Sequence, residues 1–227
     1  MKDYKEGVVL AFDKPIGWTS FQLVSKVRNT LCNHLQEKKL KVGHAGTLDP
    51  LATGVLLICT GKATKTIENL QAGKKEYLAT LQLGATTASY DLEKPIDATY
   101  PTEHITRTLI DETLKNFVGQ IEQVPPVFSA VKVDGKRAYA LARKGHEVNL
   151  KPKSLVIDEI EVVQFVPETM TLILRIACSK GTYIRALARD IGEALHSGAH
   201  LTALRRTRIG QWTIDKCITL EQFENTI

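Results

Sequence analysis

The sequence lacks the features of a membrane or secreted protein. None of its 227 residues falls in a run of about 18 apolar residues, the minimum for a membrane-spanning helix. The N-terminus, MKDYKEGVVLAFDKP, has acids on both sides of its second lysine and only a short apolar run, unlike a signal peptide. There are four cysteines, and none forms a CxxC or Cys/His pair at zinc spacing. We therefore expect a cytoplasmic protein with reduced thiols, no metal and no membrane contact.

Two common catalytic motifs are also missing. A phosphate-binding loop needs Gly, four residues and then Gly-Lys-Ser/Thr, but six residues separate Gly54 from Gly61, and Ala63 follows the lysine. No GxSxG sequence is present, which argues against Ser/His/Asp hydrolysis. The chain has no internal repeat, low-complexity tract or linker, so a single domain over residues 1–227 is predicted.

Positive charge is concentrated in two segments. The chain carries a formal charge of +5, and residues 132–153 and 175–208 each hold seven bases against two acids. Each segment is therefore +5, and the rest of the chain is −5. Basic regions on an acidic body favour a polyanionic partner, of which nucleic acid is the commonest, although a solvated surface would show the same composition.

Helical and strand patterns alternate irregularly along the chain. Helices are predicted after a cap at Thr19 or Ser20, over 106–118, over 138–144, over 182–196 and near the C-terminus. Strands are predicted over 7–12, 55–59, 77–83, 154–166, 171–178 and 204–212, and Asp134-Gly135 indicates a hairpin turn. Residues 85–101 are polar and are interpreted as a loop. This order favours an α+β fold with a mixed, largely antiparallel sheet flanked by helices.

The segment GHAGTLDPLATGVLLICT, residues 43–60, carries a candidate reactive group. Asp49 lies in a Gly- and Pro-shaped loop directly before an apolar run of buried-strand type. A carboxylate delivered in this way fits a nucleophile, but an Asp-Pro pair is also typical of an ordinary Asx turn. Glycosidase chemistry would require a second carboxylate nearby, and the sequence assigns none.

Aromatic and basic residues elsewhere fit a site that modifies RNA. Enzymes that act on a base unstack it and hold it between aromatic or apolar side chains. Tyr77, Tyr183 and His44 are candidate stacking groups, with core or surface roles as the alternatives. Arg185 lies on a largely apolar helix, where a buried arginine would need a carboxylate partner, and Asp49 is the candidate.

Five ordered blocks resemble a known family. They are GHAGTLDPLATGVL, Lys75-Glu76-Tyr77 leading to Leu83-Gly84, VPPVFSAVKVDGKRAYALAR, CSKGTYIRALARDIG and LRRTRIG. In this order, from about Val9 to Trp212, they closely resemble TruB-type tRNA pseudouridine synthases. The segment ATTASYDLEKPI after Gly84 departs from the acidic, glycine-containing sequence usual in that family.

The resemblance implies a function and roles for particular residues. It implies isomerisation of uridine-55 in the tRNA T loop, with Asp49 as nucleophile and no cofactor. Tyr77 would stack on the base and help to move a proton, and Tyr183 would face the uracil. Arg185 would pair with the nucleophile, and His44 would help to flip T-loop nucleotides. Leu204 would contact the target base.

The resemblance also implies how RNA is held. Residues 124–153 correspond to a basic, thumb-like insertion that closes on RNA. The residues expected at the RNA backbone are Lys132, Lys136, Arg137, Arg143, Arg205 and Arg206. The family commonly continues into a C-terminal PUA domain, and this chain ends at Ile227, so a short form without that domain is expected, acting as a monomer on the tRNA T arm.

Two alternatives come from other functional classes. An RNA-binding or tRNA-folding protein would share the basic segments, with isomerase activity incidental or lost. A carbohydrate-active hydrolase would use Asp49 with a second carboxylate within roughly 5–10 Å.

Overall fold

A computed structural model describes residues 3–129, 132–133, 136–137 and 150–227 of the chain. Five α-helices lie within these ranges: α1 Ser20–His34, α2 Ile67–Ala72, α3 Arg107–Lys115, α4 Ile184–Ala194 and α5 Leu220–Glu224. The strands within these ranges are β1 Val9–Lys14, β2 Val42–Ala45, β3 Ala52–Thr60, β4 Lys75–Leu83, β5 Ala85–Thr87, β6 Ile96–Thr99, β7 Gly119–Gln123, β8 Lys132–Val133, β9 Lys136–Arg137, β10 Lys153–Val166, β11 Thr171–Cys178, β12 Ala199–Ile209 and β13 Trp212–Thr213.

The chain divides into two compact units. The first comprises Met1–Tyr77 and Leu204–Ile227, and the second comprises Leu78–Ala203. The first unit is thus built from two segments that are distant in sequence.

The first unit is organised around β3, an almost continuously apolar strand. β1 and β2 pair with β3 in antiparallel fashion, and β12 pairs with it in parallel, with Leu204 opposite Ala52. Helix α1 begins with a capping box, in which Thr19 and Gln22 satisfy each other's backbone N–H groups. Its apolar residues at positions 23, 24, 27 and 31 recur at helical spacing and pack on the inner residues of β1 and β3.

The second unit is built on a strand order of β4, β11, β10 and β7. β10 and β11 form a long antiparallel hairpin, and β7 pairs with the start of β10. Helix α4 buries the face that carries Ile184, Leu187 and Ile191. Within it, Gly192 lies so close to Ala199 that an added Cβ would be 2.4 Å from that backbone nitrogen.

The predicted fold class is confirmed, because a mixed sheet, in which β12 runs parallel to β3, is flanked by helices. Of the two predicted cap positions at the start of α1, Thr19 is the cap, and its side chain accepts a backbone N–H. The hairpin expected at Asp134-Gly135 is present as the antiparallel pair β8–β9. The helix predicted over 138–144 lies outside the described residues.

The interpretation of residues 85–101 as a loop is wrong in part. β5 and β6 form a short antiparallel hairpin there, with Thr86 opposite Ala98. The connection between the two strands is held by Ser89 and Asp91, both buried, rather than by an apolar face. A polar segment of this kind shows no strand periodicity, so its pairing was not visible in the sequence.

The four cysteines are free thiols, and Cys59 and Cys178 are buried, as the sequence predicted. Burial raises the pKa of the Cys59 thiol to about 11. None of the described helices is long and apolar enough to cross a membrane.

Gly54 should be indispensable where β3 meets β12. Its φ is +101°, and an added Cβ would lie 2.2 Å from the carbonyl oxygen of Arg206. Gly17 has a similar φ of +81° but open space around it. We expect Gly17→Ala to lower the free energy of unfolding by about 1–2 kcal/mol, the cost of the left-handed backbone alone. Gly54→Ala should lower the free energy of unfolding by clearly more than this, because β3 and β12 must also move apart to make room for the added Cβ. Urea unfolding measures both, and equal losses would contradict this account.

Candidate active site

Asp49 lies on the loop 46–51, which joins β2 to β3, and the residue is partly exposed. The backbone of Asp49 begins a turn, since the Ala52 N–H donates to the Asp49 carbonyl at 3.1 Å. Asp49 is thus the first residue of a backbone turn, and its role as a nucleophile stays a prediction.

Two side chains from the N-terminal segment fix this loop. The Ser20 hydroxyl accepts from the Leu48 N–H at 2.9 Å and donates to the Leu48 carbonyl at 3.1 Å. Lys14 is fully buried, and its ammonium donates to the carbonyls of Pro15, Trp18 and Pro50, the last at 3.4 Å. The residues on both sides of Asp49 are thus bonded to the rest of the first unit.

The prediction that Arg206 contacts the RNA backbone is wrong, because the residue is buried. Only 1% of the residue is exposed, and its guanidinium donates to the carbonyls of Val55, Thr47 and Gly46 at 2.8, 3.3 and 2.9 Å. A guanidinium enclosed in this way cannot reach a phosphate. Arg206 instead connects β12 to the start of the loop that carries Asp49 and to β3, which follows that loop.

His44 lies on β2, five residues before Asp49. Its Nδ1 is buried, and no hydrogen-bond partner for it lies among the described residues. Burial lowers the pKa of the His44 imidazole below its ordinary value of 6.5, and the positive charge of Arg206 lowers it further. The ring is therefore neutral at pH 7, as stacking against a base favours.

The other predicted residues of the first unit are placed as follows. Tyr77 is 8% exposed on β4, and Leu204 is partly exposed at the start of the parallel pairing with β3. Arg205 points to the opposite side of β12 from Arg206, and its guanidinium bonds the Asp13 carboxylate at 2.6 Å and the Thr53 hydroxyl at 3.3 Å. Its side chain remains 39% exposed, so a role at the RNA backbone stays a prediction.

In the second unit, Tyr183 stands directly before α4 and is partly exposed. The buried amide of Gln123 holds its backbone from both sides: the Gln123 oxygen accepts from the Tyr183 N–H at 2.9 Å, and the amide nitrogen donates to the Tyr183 carbonyl at 3.2 Å. Gln123 was not identified from the sequence. A polar residue at the end of a strand gives no signal that it will be buried.

Arg185 is 5% exposed, so it is a buried arginine and not a surface residue of its helix. Its guanidinium donates to the carbonyls of Ser89 and Phe128, and its Nε lies 3.7 Å from an Asp91 carboxylate oxygen. Asp91 is the residue that sequence reasoning missed, in the segment ATTASYDLEKPI. The pairing of Arg185 with Asp49 stays a prediction, because the two residues belong to different units.

Part of the predicted RNA-backbone set falls in the basic hairpin. Lys132 and Arg137 are opposite each other in the β8–β9 pair, and Lys136 is opposite Val133. Arg143 lies outside the described residues. Among the described residues, no cluster of histidine, cysteine and acidic side chains could hold a metal ion.

Two solved structures of RNA–protein and protein complexes share this fold. One, described as a Cbf5-Nop10-Gar1 complex, matches 98% of this chain with a TM-score of 0.72 and 30% identity. Another, an H/ACA RNP bound to a substrate RNA containing 2′-deoxyuridine, matches 98% with a TM-score of 0.69 and 29% identity. The chain spans about half the length of the chains in these two structures, 54% and 53%.

Sequence comparison assigns the family. Residues 33–184 match the profile of the TruB family pseudouridylate synthase N-terminal domain, and residues 185–227 match that of the tRNA pseudouridylate synthase B C-terminal domain. A protein of Phocaeicola vulgatus named tRNA pseudouridine synthase B is 66% identical over 97% of this chain and 93% of its own length. The chain belongs to the TruB family of pseudouridine synthases.

Replacing Arg206 should destabilise the loop that carries Asp49. Arg206→Lys keeps the charge but cannot reproduce three donors in a planar fork, so buried carbonyls lose their partners. We expect a loss of about 2 kcal/mol or more in the free energy of unfolding. Arg205→Lys, next to it on the exposed side of β12, should cost less than about 1 kcal/mol. Urea unfolding compares the two variants, and similar losses would show that Arg206 does not hold the loop.

The charge of Lys14 should produce a pH-dependent stability. Burial lowers the pKa of its ammonium from 10.5 to about 8, the charge of Asp49 raises it in part, and Arg206 lowers it. The folded protein therefore binds this proton less tightly than the unfolded chain does. The contribution of Lys14 to the free energy of unfolding should increase as the pH rises from about 8 to 10.5.

The Lys14→Met variant isolates this effect. Urea unfolding of both proteins at about pH 7.5 and about pH 9.5 gives the stability difference at each pH, in which the other titrating groups cancel. The free energy of unfolding of the wild type, relative to that of Lys14→Met, should be larger at about pH 9.5 than at about pH 7.5. A difference independent of pH would mean that Lys14 titrates normally.

Proposed function

We propose that this protein isomerises uridine-55 in the T loop of tRNA to pseudouridine, with Asp49 as the nucleophile. One observation carries the proposal: the partly exposed Asp49 stands on a loop whose flanking carbonyls are bound by two buried cations. Such a loop needs little reorganisation when a substrate binds, because its backbone is already fixed. The names of similar proteins and of the matching family agree with this activity.

The reaction conserves atoms and electrons. Asp49 attacks the nucleotide, the bond between N1 of uracil and C1′ of the sugar breaks, and the base turns. C5 then bonds to C1′, the carboxylate of Asp49 is released, C5 loses its proton and N1 gains one. Because the product has the composition of the substrate, the chemistry requires no oxidant, reductant or transferred group, and no cofactor is proposed.

The remaining residues serve to expose and hold the base. A uridine in a folded T loop must leave its stack before Asp49 can reach it. Stacking on aromatic side chains of the protein offsets part of the free energy lost on unstacking. Tyr77 stacks on the base and helps to move a proton, Tyr183 faces the uracil, Leu204 contacts it, and neutral His44 helps to flip the nucleotides. Arg185 balances the charge of the nucleophile. These roles are carried over from the family resemblance.

RNA binding is the remaining part of the proposal. The backbone of the T arm would contact Arg205 and the basic insertion at 124–153, with Lys132, Lys136, Arg137 and Arg143. The protein acts as a monomer in the cytoplasm. An RNA-binding protein without activity is not favoured, because Asp49 and Arg185 are both present and the relatives are named as synthases.

The nucleophile is tested with the isosteric variant Asp49→Asn. It removes the negative charge while keeping the shape of the side chain, so product should fall below detection and the affinity for tRNA should stay within a few-fold. The assay incubates unmodified tRNA with the protein and maps pseudouridine along the chain. Asp111→Asn, on the exposed face of α3, is the matched control and should retain full activity. Product formation by Asp49→Asn at the wild-type rate would overturn the assignment.

A further inference from the structure

A second concave surface lies where the end of α1 meets the connection to β2. We call it the α1–β2 groove, and its volume is about 760 Å³. Its polar lining consists of Arg28, Asn29, Asn33, Glu37, Lys38, Lys39 and Lys41. None of these residues belongs to the site proposed above, and none lies in the two basic segments that the sequence singled out.

The groove carries an uncompensated positive charge. Its lining has four bases and one carboxylate, Glu37, and that carboxylate already forms an ion pair with Lys5. Lys38, Lys39 and Lys41 are exposed, and within the part of the chain that the structure describes none of the three forms an ion pair. A concave surface with an excess of one sign attracts a ligand of the opposite sign.

The groove is also held in place before any ligand arrives. The Leu35 and Glu37 N–H groups donate to carbonyls of the last turn of α1, at 2.9 Å each, and Gln36 between them has a φ of +56°. Leu40 is buried in the core of the first unit, and the Lys41 carbonyl accepts from the Gly61 N–H at 2.8 Å. Binding would therefore require little ordering of the backbone.

The chemistry of the lining favours a sugar–phosphate backbone. Lysine ammonium groups bind phosphates as point charges, and the amides of Asn29 and Asn33 can bond phosphate or ribose oxygens. Of the two apolar residues in the lining, Leu40 is buried and Cys32 is partly covered. An apolar peptide or a lipid chain would have to cover the four cations of the groove without giving them a partner.

The groove lies close to the loop of Asp49 along the chain. Lys41 directly precedes β2, and His44 follows three residues later on that strand. Three residues of extended strand span about 10 Å, and side chains three positions apart point to opposite faces. One RNA that contacts both residues would therefore bridge about 10 Å and touch two faces of β2.

We propose that the α1–β2 groove binds backbone phosphates of the substrate RNA beyond the nucleotides held at Asp49. This proposal rests on the proposed function for the identity of the RNA. It places a basic surface on the N-terminal segment, outside the two basic segments of the later chain.

The test removes two charges with Lys38→Gln and Lys39→Gln together. Loss of two phosphate contacts should reduce the slope of log affinity against log salt by about 1.4, at 0.7 per phosphate for single-stranded RNA, or by up to about 1.8 for a duplex. Near physiological salt, KM for unmodified tRNA should rise several-fold while kcat stays unchanged, because the groove does not touch the reacting atoms. The double variant Lys38→Arg and Lys39→Arg, which keeps both charges, should restore most of the affinity.

The control is Lys115→Gln with Lys216→Gln, which removes the same net charge from exposed positions outside the groove. It should leave the salt slope unchanged. The proposal is overturned if the groove variant keeps the wild-type slope and KM, if the arginine variant is equally impaired, or if the control loses as much affinity. If the wild type makes no pseudouridine, the proposed function fails, whereas the salt slopes on tRNA still decide whether the groove binds RNA.

Discussion

The burial of two cations beneath the loop of Asp49 is the constraint on which the rest of the first unit depends. Taking Lys14 and Arg206 out of water is costly, and the cost must be offset by polar partners. Both side chains find them in backbone carbonyls of loops, which have no secondary-structure partner of their own. The same contacts therefore satisfy the cations and fix the loop, so neither can change without the other.

The second unit uses a similar arrangement at Arg185. Its guanidinium also donates to two loop carbonyls, and it adds the carboxylate of Asp91 at 3.7 Å. In both units a buried cation joins loops that secondary structure alone would leave without support. Each loop that carries a predicted functional residue is thus defined by polar contacts, whereas the strands and helices behind it are defined by apolar packing.

This division explains what the sequence revealed. Helix α1 was predictable because its cap at Thr19 and its apolar spacing are local features. The strands 154–166 and 171–178 were predictable from their alternation. The β5–β6 hairpin and the partners of Arg185 were not, because polar contacts between distant segments leave no periodic pattern. Asp91 in particular lies in the segment ATTASYDLEKPI, where the chain departs from the sequence usual in its family.

Arg206 illustrates a signal that was present but not used. Successive residues of a strand point to opposite faces, so neighbouring arginines on a strand inside a unit cannot both face solvent. Arg205 and Arg206 are such a pair, and β12 lies beside β3. Counting charges along the segment treated both residues as surface, whereas alternation assigns one of them to the interior. Alternation alone does not say which of the two arginines is buried. The structure identifies it as Arg206, which is paired with Gly54 of β3.

The discontinuity of the first unit has a consequence for synthesis of the protein. The residue that fixes Gly46 is Arg206, 160 positions later in the chain. During translation the segment with Asp49 emerges early, but its loop cannot close until most of the protein has left the ribosome. Contacts of such long sequence separation form slowly, and the second unit is complete before they can begin. Asp49 is therefore made early in synthesis, and its loop is among the last parts of the first unit to be put in position.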